Sequence, residues 1–253
     1  MKKIFTLLAL TISFSMNAQM SDNSIGTSAT GTNAVAMGFN TTASGGVSTA
    51  MGQNTTASGD YSTAMGEDST ASGNYSTAMG GGTTASDRSS LVIGQYNLLG
   101  STVTNNATSF STSNTAFVIG NGANADNRSD ALTVLFDGTT TIAGDLSINS
   151  DARLKANIIS LGSTLAKVLQ IDGKSYTMKK DENKKQKIGV LAQDIEKVFP
   201  ELVSESHGVK SVNYQGLVPV LINALKEQDA KMNEQQTEID ELKEIVQALV
   251  SRE

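Results

Sequence analysis

The chain has no cysteine, so neither a disulfide framework nor a thiolate metal site can hold its fold together. A single histidine, His207, leaves little material for a zinc site, and no metal or cofactor is expected. Tryptophan is absent and aromatic residues make up only 5% of the 253 positions, which is lean for one compact core. Positive charge is almost missing from a long stretch. Residues 20–149 carry nine Asp and Glu against Arg88 and Arg128 alone, whereas residues 150–253 carry sixteen acids against fifteen bases. No block is basic enough to suggest a nucleic-acid footprint, so no nucleic-acid partner is expected.

What is present begins with a leader-like segment. Lys2 and Lys3 precede the apolar stretch Ile4 to Met16, and Asn17-Ala18-Gln19 ends it with a small residue. That is the pattern of a secretory signal peptide over residues 1–18, too short for a convincing membrane span. No later run approaches the roughly 18 apolar residues a spanning helix needs. The expected product is exported, extracellular or at the outer cell surface, with no membrane span after leader removal.

Residues 19–100 are dominated by self-similarity. Ala36-Met37-Gly38, Ala50-Met51-Gly52, Ala64-Met65-Gly66 and Ala78-Met79-Gly80 recur every 14 residues, and Val92-Ile93-Gly94 continues the series. Halfway between them stand Ala43-Ser44-Gly45, Ala57-Ser58-Gly59, Ala71-Ser72-Gly73 and Ala85-Ser86-Asp87. Frequent Gly with Ser and Thr argues against a helix. Small apolar and polar residues alternating between glycines suit very short strands and tight turns. One such coil would bury only an Ala and a Met, so stability must come from stacking, as in other solenoids. The stripe remains thin, which predicts several chains packing their Ala/Met faces together. A disordered low-complexity linker is the competing reading, and the strict 14-residue phase speaks against it.

These units, of which Tyr61-Ser62-Thr63-Ala64-Met65-Gly66 and Tyr75-Ser76-Thr77-Ala78-Met79-Gly80 are typical, resemble the head of trimeric autotransporter adhesins over roughly residues 24–100. The family repeat is close to Asn-Ser-Val-Ala-Ile-Gly, with Met here in the Ile position. The resemblance implies a left-handed parallel β-roll that trimerises. Residues 101–149 lose the period. Phe117-Val118-Ile119-Gly120 reads as one more coil after an insertion, and two strands flank a turn at Asp137-Gly138, giving a β-rich neck or stalk.

From Ser150 the composition becomes ordinary. Leu161 to Gln170 has helical spacing, Ser175–Met178 and Gln186–Val190 read as strands, and Lys179–Lys185 reads as a solvated turn between them. Ala192 to Phe199 is a short helix stopped by Pro200, and Ser211–Tyr214 a short strand. From about 218 to 250 a heptad can be written. Val218, Leu225, Met232, Ile239 and Val246 fill one core position; Leu221, Gln228, Gln235, Leu242 and Leu249 fill the other. A coiled coil follows, with the two glutamines fixing register; a helix folded back on its own domain is the alternative.

Three motifs in order, Ser150–Ile158, Ile188–Val203 and Val212–Gln228, resemble the C-terminal intramolecular chaperone domain of phage endosialidases and tail spikes over residues 150–253. That resemblance implies a trimer that assembles a β-rich fibre upstream and releases itself by autoproteolysis, as a single-turnover serine autopeptidase. Carried onto this chain, the cleavage site is Asn149–Ser150, with Ser150 as nucleophile and Lys155 as base. A lysine serves as base only when neutral, and from a reference pKa near 10.4 that takes roughly 4–5 kcal/mol of environment at about pH 7. The pair lies five positions apart, so either a turn lies between them or Lys155 comes from a neighbouring chain. On spacing alone, Ser150-Asp151 capping the following segment is the plainer reading.

The expected architecture is therefore a mainly β, trimeric roll followed by a small α+β chaperone domain ending in a trimeric coiled coil. The partner is the chain itself, as a homotrimer; the small polar side chains of the roll leave a host surface or glycan open as a further one.

Overall fold

The structure, a computed structural model, describes residues 20–21, 25–99, 107–179, 181 and 184–251. The leader expected at residues 1–18 lies outside these described residues. The chain forms two compact units, one ending at Ile148 and the other beginning at Asn149.

The first unit is a parallel solenoid. Each 14-residue unit lays down a five-residue strand and a two-residue strand. The long strands Val35–Phe39, Thr49–Gln53, Thr63–Glu67, Thr77–Gly81 and Leu91–Gln95 pair in parallel and in register. The short strands Thr42–Ala43, Thr56–Ala57, Thr70–Ala71 and Thr84–Ala85 stack in the same way on a second sheet. Thr115–Asn121 adds to Leu91–Gln95 in parallel, after which Asp130–Leu135 and Thr140–Ile142 continue the sheet antiparallel.

Alternation along a strand decides what is inside. Every repeat alanine, Ala36, Ala43, Ala50, Ala57, Ala64, Ala71, Ala78 and Ala85, is fully buried between the two sheets. The methionines, one residue on, point the other way: Met37, Met51 and Met65 are half-buried and Met79 is exposed. This corrects the expectation of a shared Ala/Met face. The alanines form the core of the single chain, and the methionines form an outward ladder with Ile93 and Ile119.

Glycine is fixed by proximity. A Cβ on Gly52 would lie 2.0 Å from the Gly66 carbonyl oxygen, and one on Gly66 would lie 2.1 Å from that of Gly80. Their φ values of +116° and +112° are also ones that L side chains rarely adopt.

The corners take left-handed residues. Asn40, Asn54 and Asp68 occupy one at φ 50–53°, and their side chains hydrogen-bond from coil to coil at 2.9 Å. The other holds Asn33, Val47, Tyr61, Tyr75 and Ser89 at φ 56–63°. Tyr61 and Tyr75 stack there with ring centroids 4.9 Å apart, and the Arg88 guanidinium lies 4.8 Å from the Tyr75 centroid.

The far end of the repeats is closed by side chains. Asn97 occupies the position of Thr41, Thr55, Ser69 and Thr83 in the phase. Its amide stands in for a missing strand, accepting from Thr84 N at 2.7 Å and donating to Thr84 O at 3.0 Å. Asp87, where the phase has had glycine, is buried and its carboxylate accepts from Thr115 N at 2.8 Å. Arg128 donates to the carbonyls of Gly82 and Asn97 at 2.8 and 3.1 Å.

The second unit holds a short helix α1 (Leu165–Val168), α2 (Ala192–Val198) and α3 (Leu217–Val250), with two antiparallel hairpins. These are Lys174–Thr177 with Gln186–Gly189, and Val203–Ser206 with Val209–Val212. Ile195, Val198 and Phe199 pack on Val220 of α3, ringed by Val168, Ile171, Val190, Leu202 and Val212. The helix expected over Leu161–Gln170 is shorter, because Gly162 at φ +67° breaks the backbone before Thr164. The strand expected at Ser211–Tyr214 runs instead from Val209 to Val212, and its partner Val203–Ser206 carries no strand pattern because its exposed serines and glutamate hide the apolar alternation.

Two changes test the corners and the end. Val47 is a β-branched residue held at φ +57° with a half-exposed side chain, so Val47→Asn should stabilise the roll by about 1 kcal/mol. Asn97→Ala strips the end of a buried amide and should cost about 1–3 kcal/mol. Thermal or denaturant unfolding of the full chain reads both.

Candidate functional site

The segment carrying the predicted site has little cover. From Asp137 to Ser163 every residue is exposed, and Asp145 to Ser150 is irregular backbone. Asn149 and Ser150 therefore lie in open chain at the start of the second unit.

Immediately afterwards the chain makes one tight turn. Ala152–Leu154 is a single turn of 3-10 helix, closed by Leu154 N to Asp151 O and Lys155 N to Ala152 O, both at 3.1 Å. The spacing required a turn or a second chain, and a turn is there. It returns Lys155 to Ser150, whose Oγ accepts from Nζ at 2.8 Å within one chain.

Asp151 starts the turn. Its Oδ1 accepts from Arg153 N at 2.9 Å, and its carboxylate is gripped by the Arg153 side chain, Nε at 3.0–3.1 Å and Nη2 at 2.6 Å. These bonds from Arg153 hold the carboxyl below the ordinary aspartate range. Ser150 itself caps nothing; the capping half of the plainer sequence reading falls to Asp151 alone.

His207 is remote from this chemistry in kind. It occupies the tip of the Val203–Val212 hairpin at φ +50°, with Nδ1 2.9 Å from Ser206 Oγ.

A residue that sequence reasoning assigned no role ties the segment to the long helix. Glu227 of α3 accepts from Ser163 Oγ at 2.7 Å, from Thr164 N, from Thr164 Oγ1 at 3.2 Å and from Leu165 N at 3.3 Å. It thereby caps α1, and these amide and hydroxyl bonds hold its carboxyl below the ordinary glutamate range. Its partners lie more than sixty positions away, so no local pattern could have revealed it.

Along α3 the face written as a heptad is open. Val218, Leu221, Leu225, Met232, Ile239, Leu242, Val246 and Leu249 are all exposed, Leu225 by 70%. Outside the helix, Ile158, Ile159 and Ile188 are also exposed, the last two by 86%.

A carboxylate whose folded pKa is lowered stabilises above its unfolded value and loses that contribution as pH falls through the lower folded value. Glu227→Gln should therefore unfold at lower denaturant than wild type at pH 7. The difference should shrink as the pH falls below about 4. Paired denaturant titrations across that range check it.

Two family models match separate stretches of the chain. Residues 150–204 match the family described as the chaperone of endosialidase. Residues 29–97 match the YadA head domain repeat in overlapping pairs of copies. Long tail fiber protein Gp37 of Salmonella phage S16 is 30% identical over 115 residues, covering 42% of this chain and 15% of that protein. The Gp37 of Escherichia phage AR1 is 31% identical over 100 residues, covering 36% of this chain and 9% of that protein. The alignment thus takes in only a small part of those relatives. The chain is thus similar to the YadA head repeat over residues 29–97, to the chaperone of endosialidase over 150–204 and, over a part of its length, to phage long tail fibre proteins.

Proposed function

We propose that this is an exported, homotrimeric fibre or adhesin-like protein whose C-terminal unit guides trimer assembly and is released by autoproteolysis at Asn149–Ser150. The observation that carries the reading is the 2.8 Å hydrogen bond between Lys155 Nζ and Ser150 Oγ, at the first residue of the matched chaperone segment. In this reading neutral Lys155 takes the hydroxyl proton as Ser150 Oγ adds to the Asn149 carbonyl carbon. Collapse breaks the C–N bond, the proton passes to the departing Ser150 amine, and an Asn149 ester on Oγ is left. Water hydrolyses that ester, giving an Asn149 carboxylate and a chain beginning at Ser150.

Assembly would supply what the single chain lacks. Ser150 and Lys155 are exposed in the single chain, so cleavage waits for cover from neighbouring chains. The same neighbours would cover Ile158, Ile159 and the open face of α3. Each large aliphatic side chain so buried contributes about 1.5–3 kcal/mol. Gln228 and Gln235 within that face would set the register of a three-stranded coiled coil. Upstream, the outward methionine ladder gives three rolls an apolar face to share.

The domains follow as a leader at 1–18, roll at 19–100, neck at 101–149 and chaperone unit at 150–253 with its coiled coil at about 218–250. Location outside the cell or on a virion surface is supported by the leader pattern and by the tail-fibre relatives; no described helix is long and apolar enough to cross a membrane. Host surfaces and glycans are the partner classes that fit a fibre of small polar side chains.

The exposure of both dyad residues favours one second reading, an uncleaved trimer cap. A denaturing gel separates the two. Wild type should yield one fragment ending at Asn149 and one with Ser150 as its new N-terminus, while Ser150→Ala and Lys155→Ala stay intact. An intact wild type contradicts the cleavage reading.

A further inference from the structure

We propose that Asp151 is the positioning residue of the Ser150–Lys155 pair, acting through the one-turn helix that carries Lys155 back onto Ser150. The inference rests on reading that pair as the autoproteolytic dyad, and it identifies what builds the dyad.

Two side chains five residues apart meet only if the backbone between them reverses tightly. Here the reversal consists of two backbone hydrogen bonds, Leu154 N to Asp151 O and Lys155 N to Ala152 O. A single 3-10 turn has poor hydrogen-bond geometry and leaves its first amides without backbone acceptors. One of those amides, Arg153 N, is taken by Asp151 Oδ1 at 2.9 Å. The same carboxylate is locked in place by three contacts from the Arg153 side chain. Since the whole stretch from Asp137 to Ser163 is exposed, tertiary packing does not hold this turn, and the local cap matters correspondingly more.

The alternative role, Asp151 as a proton acceptor for Ser150, does not fit the geometry. Both carboxylate oxygens are committed to Arg153 donors, and Ser150 Oγ is engaged by Lys155. Nor does the ion pair by itself explain the arrangement, because an exposed pair contributes little on its own. The cap to the Arg153 amide is what constrains the backbone.

The test uses the full chain, refolded from denaturant, with fragment appearance followed on denaturing gels and native mass recorded in parallel. Asp151→Ala should slow cleavage by at least about tenfold while the native mass before cleavage stays that of wild type. Asp151→Asn keeps an Oδ1 that accepts from Arg153 N, and should cleave within about threefold of wild type. Across pH, Asp151→Ala should lower the plateau rate without moving the midpoint of its rise. A moved midpoint would assign Asp151 to tuning Lys155 electrostatically and overturn the proposal. So would Asp151→Asn as slow as Asp151→Ala, or Asp151→Ala at the wild-type rate. If wild type does not cleave, the dyad reading fails on its own. The turn is then tested in Ser150→Ala by amide exchange, where Asp151→Ala should lose protection at Arg153 and Asp151→Asn should keep it. Unchanged protection in both contradicts the cap.

Discussion

Each coil of the roll lies so close to the next that a single extra carbon at Gly52 or Gly66 would fall about 2 Å from a neighbouring carbonyl oxygen. That approach dictates the rest. The coils hold alanines and small hydroxyl residues inside, and larger buried side chains, among them Asp87, Val92, Asn97 and Val118, come only near the far end. Alanine burial of this kind contributes on the order of 1 kcal/mol per side chain. Backbone ordering costs about 1–2 kcal/mol per residue. The solenoid therefore depends on its continuous parallel hydrogen bonding, on ladders at the corners, and in our reading on other chains laid against the methionine face.

Identical coils carry a second difficulty. With the same residues every 14 positions, a coil can pair one repeat out of phase at little local cost. The structure breaks the degeneracy at one end, where Asn97, Asp87 and Arg128 make contacts that no interior coil can make. In our reading the same difficulty arises between chains. A separate unit that first brought three copies together in register would answer that need, since it would lower the loop-closure cost of aligning distant segments. The open face of α3 and the exposed Ser150–Lys155 pair fit a unit whose own completion also requires those copies.

How much of this was legible in the sequence follows from the range of each interaction. The 14-residue phase gave the coils, because alternation and glycine placement act within one strand and its turn. The hairpin at Asp137-Gly138 and the helix at α2 were local in the same sense. The inward-outward assignment of Ala and Met is not legible, since hydrophobicity alone does not say which of two apolar neighbours faces the core. The turn at Asp151–Lys155 was demanded by spacing, but its cap could be seen only with Arg153 in place. Glu227 on Ser163–Leu165 was invisible, as were Asn97 on Thr84 and the strand Val203–Ser206. Each of these is a polar contact or pairing whose partner is set by tertiary geometry.

The central claim is that the single chain is an incomplete object that becomes a fibre only as three. The native mass of Ser150→Ala, in which no cleavage can remove the C-terminal unit, tests it most directly. Light scattering or native mass spectrometry should give a particle of three chains at micromolar concentration, persisting on dilution. A monomer under those conditions would contradict the coiled coil, the shared methionine face and the chaperone reading together.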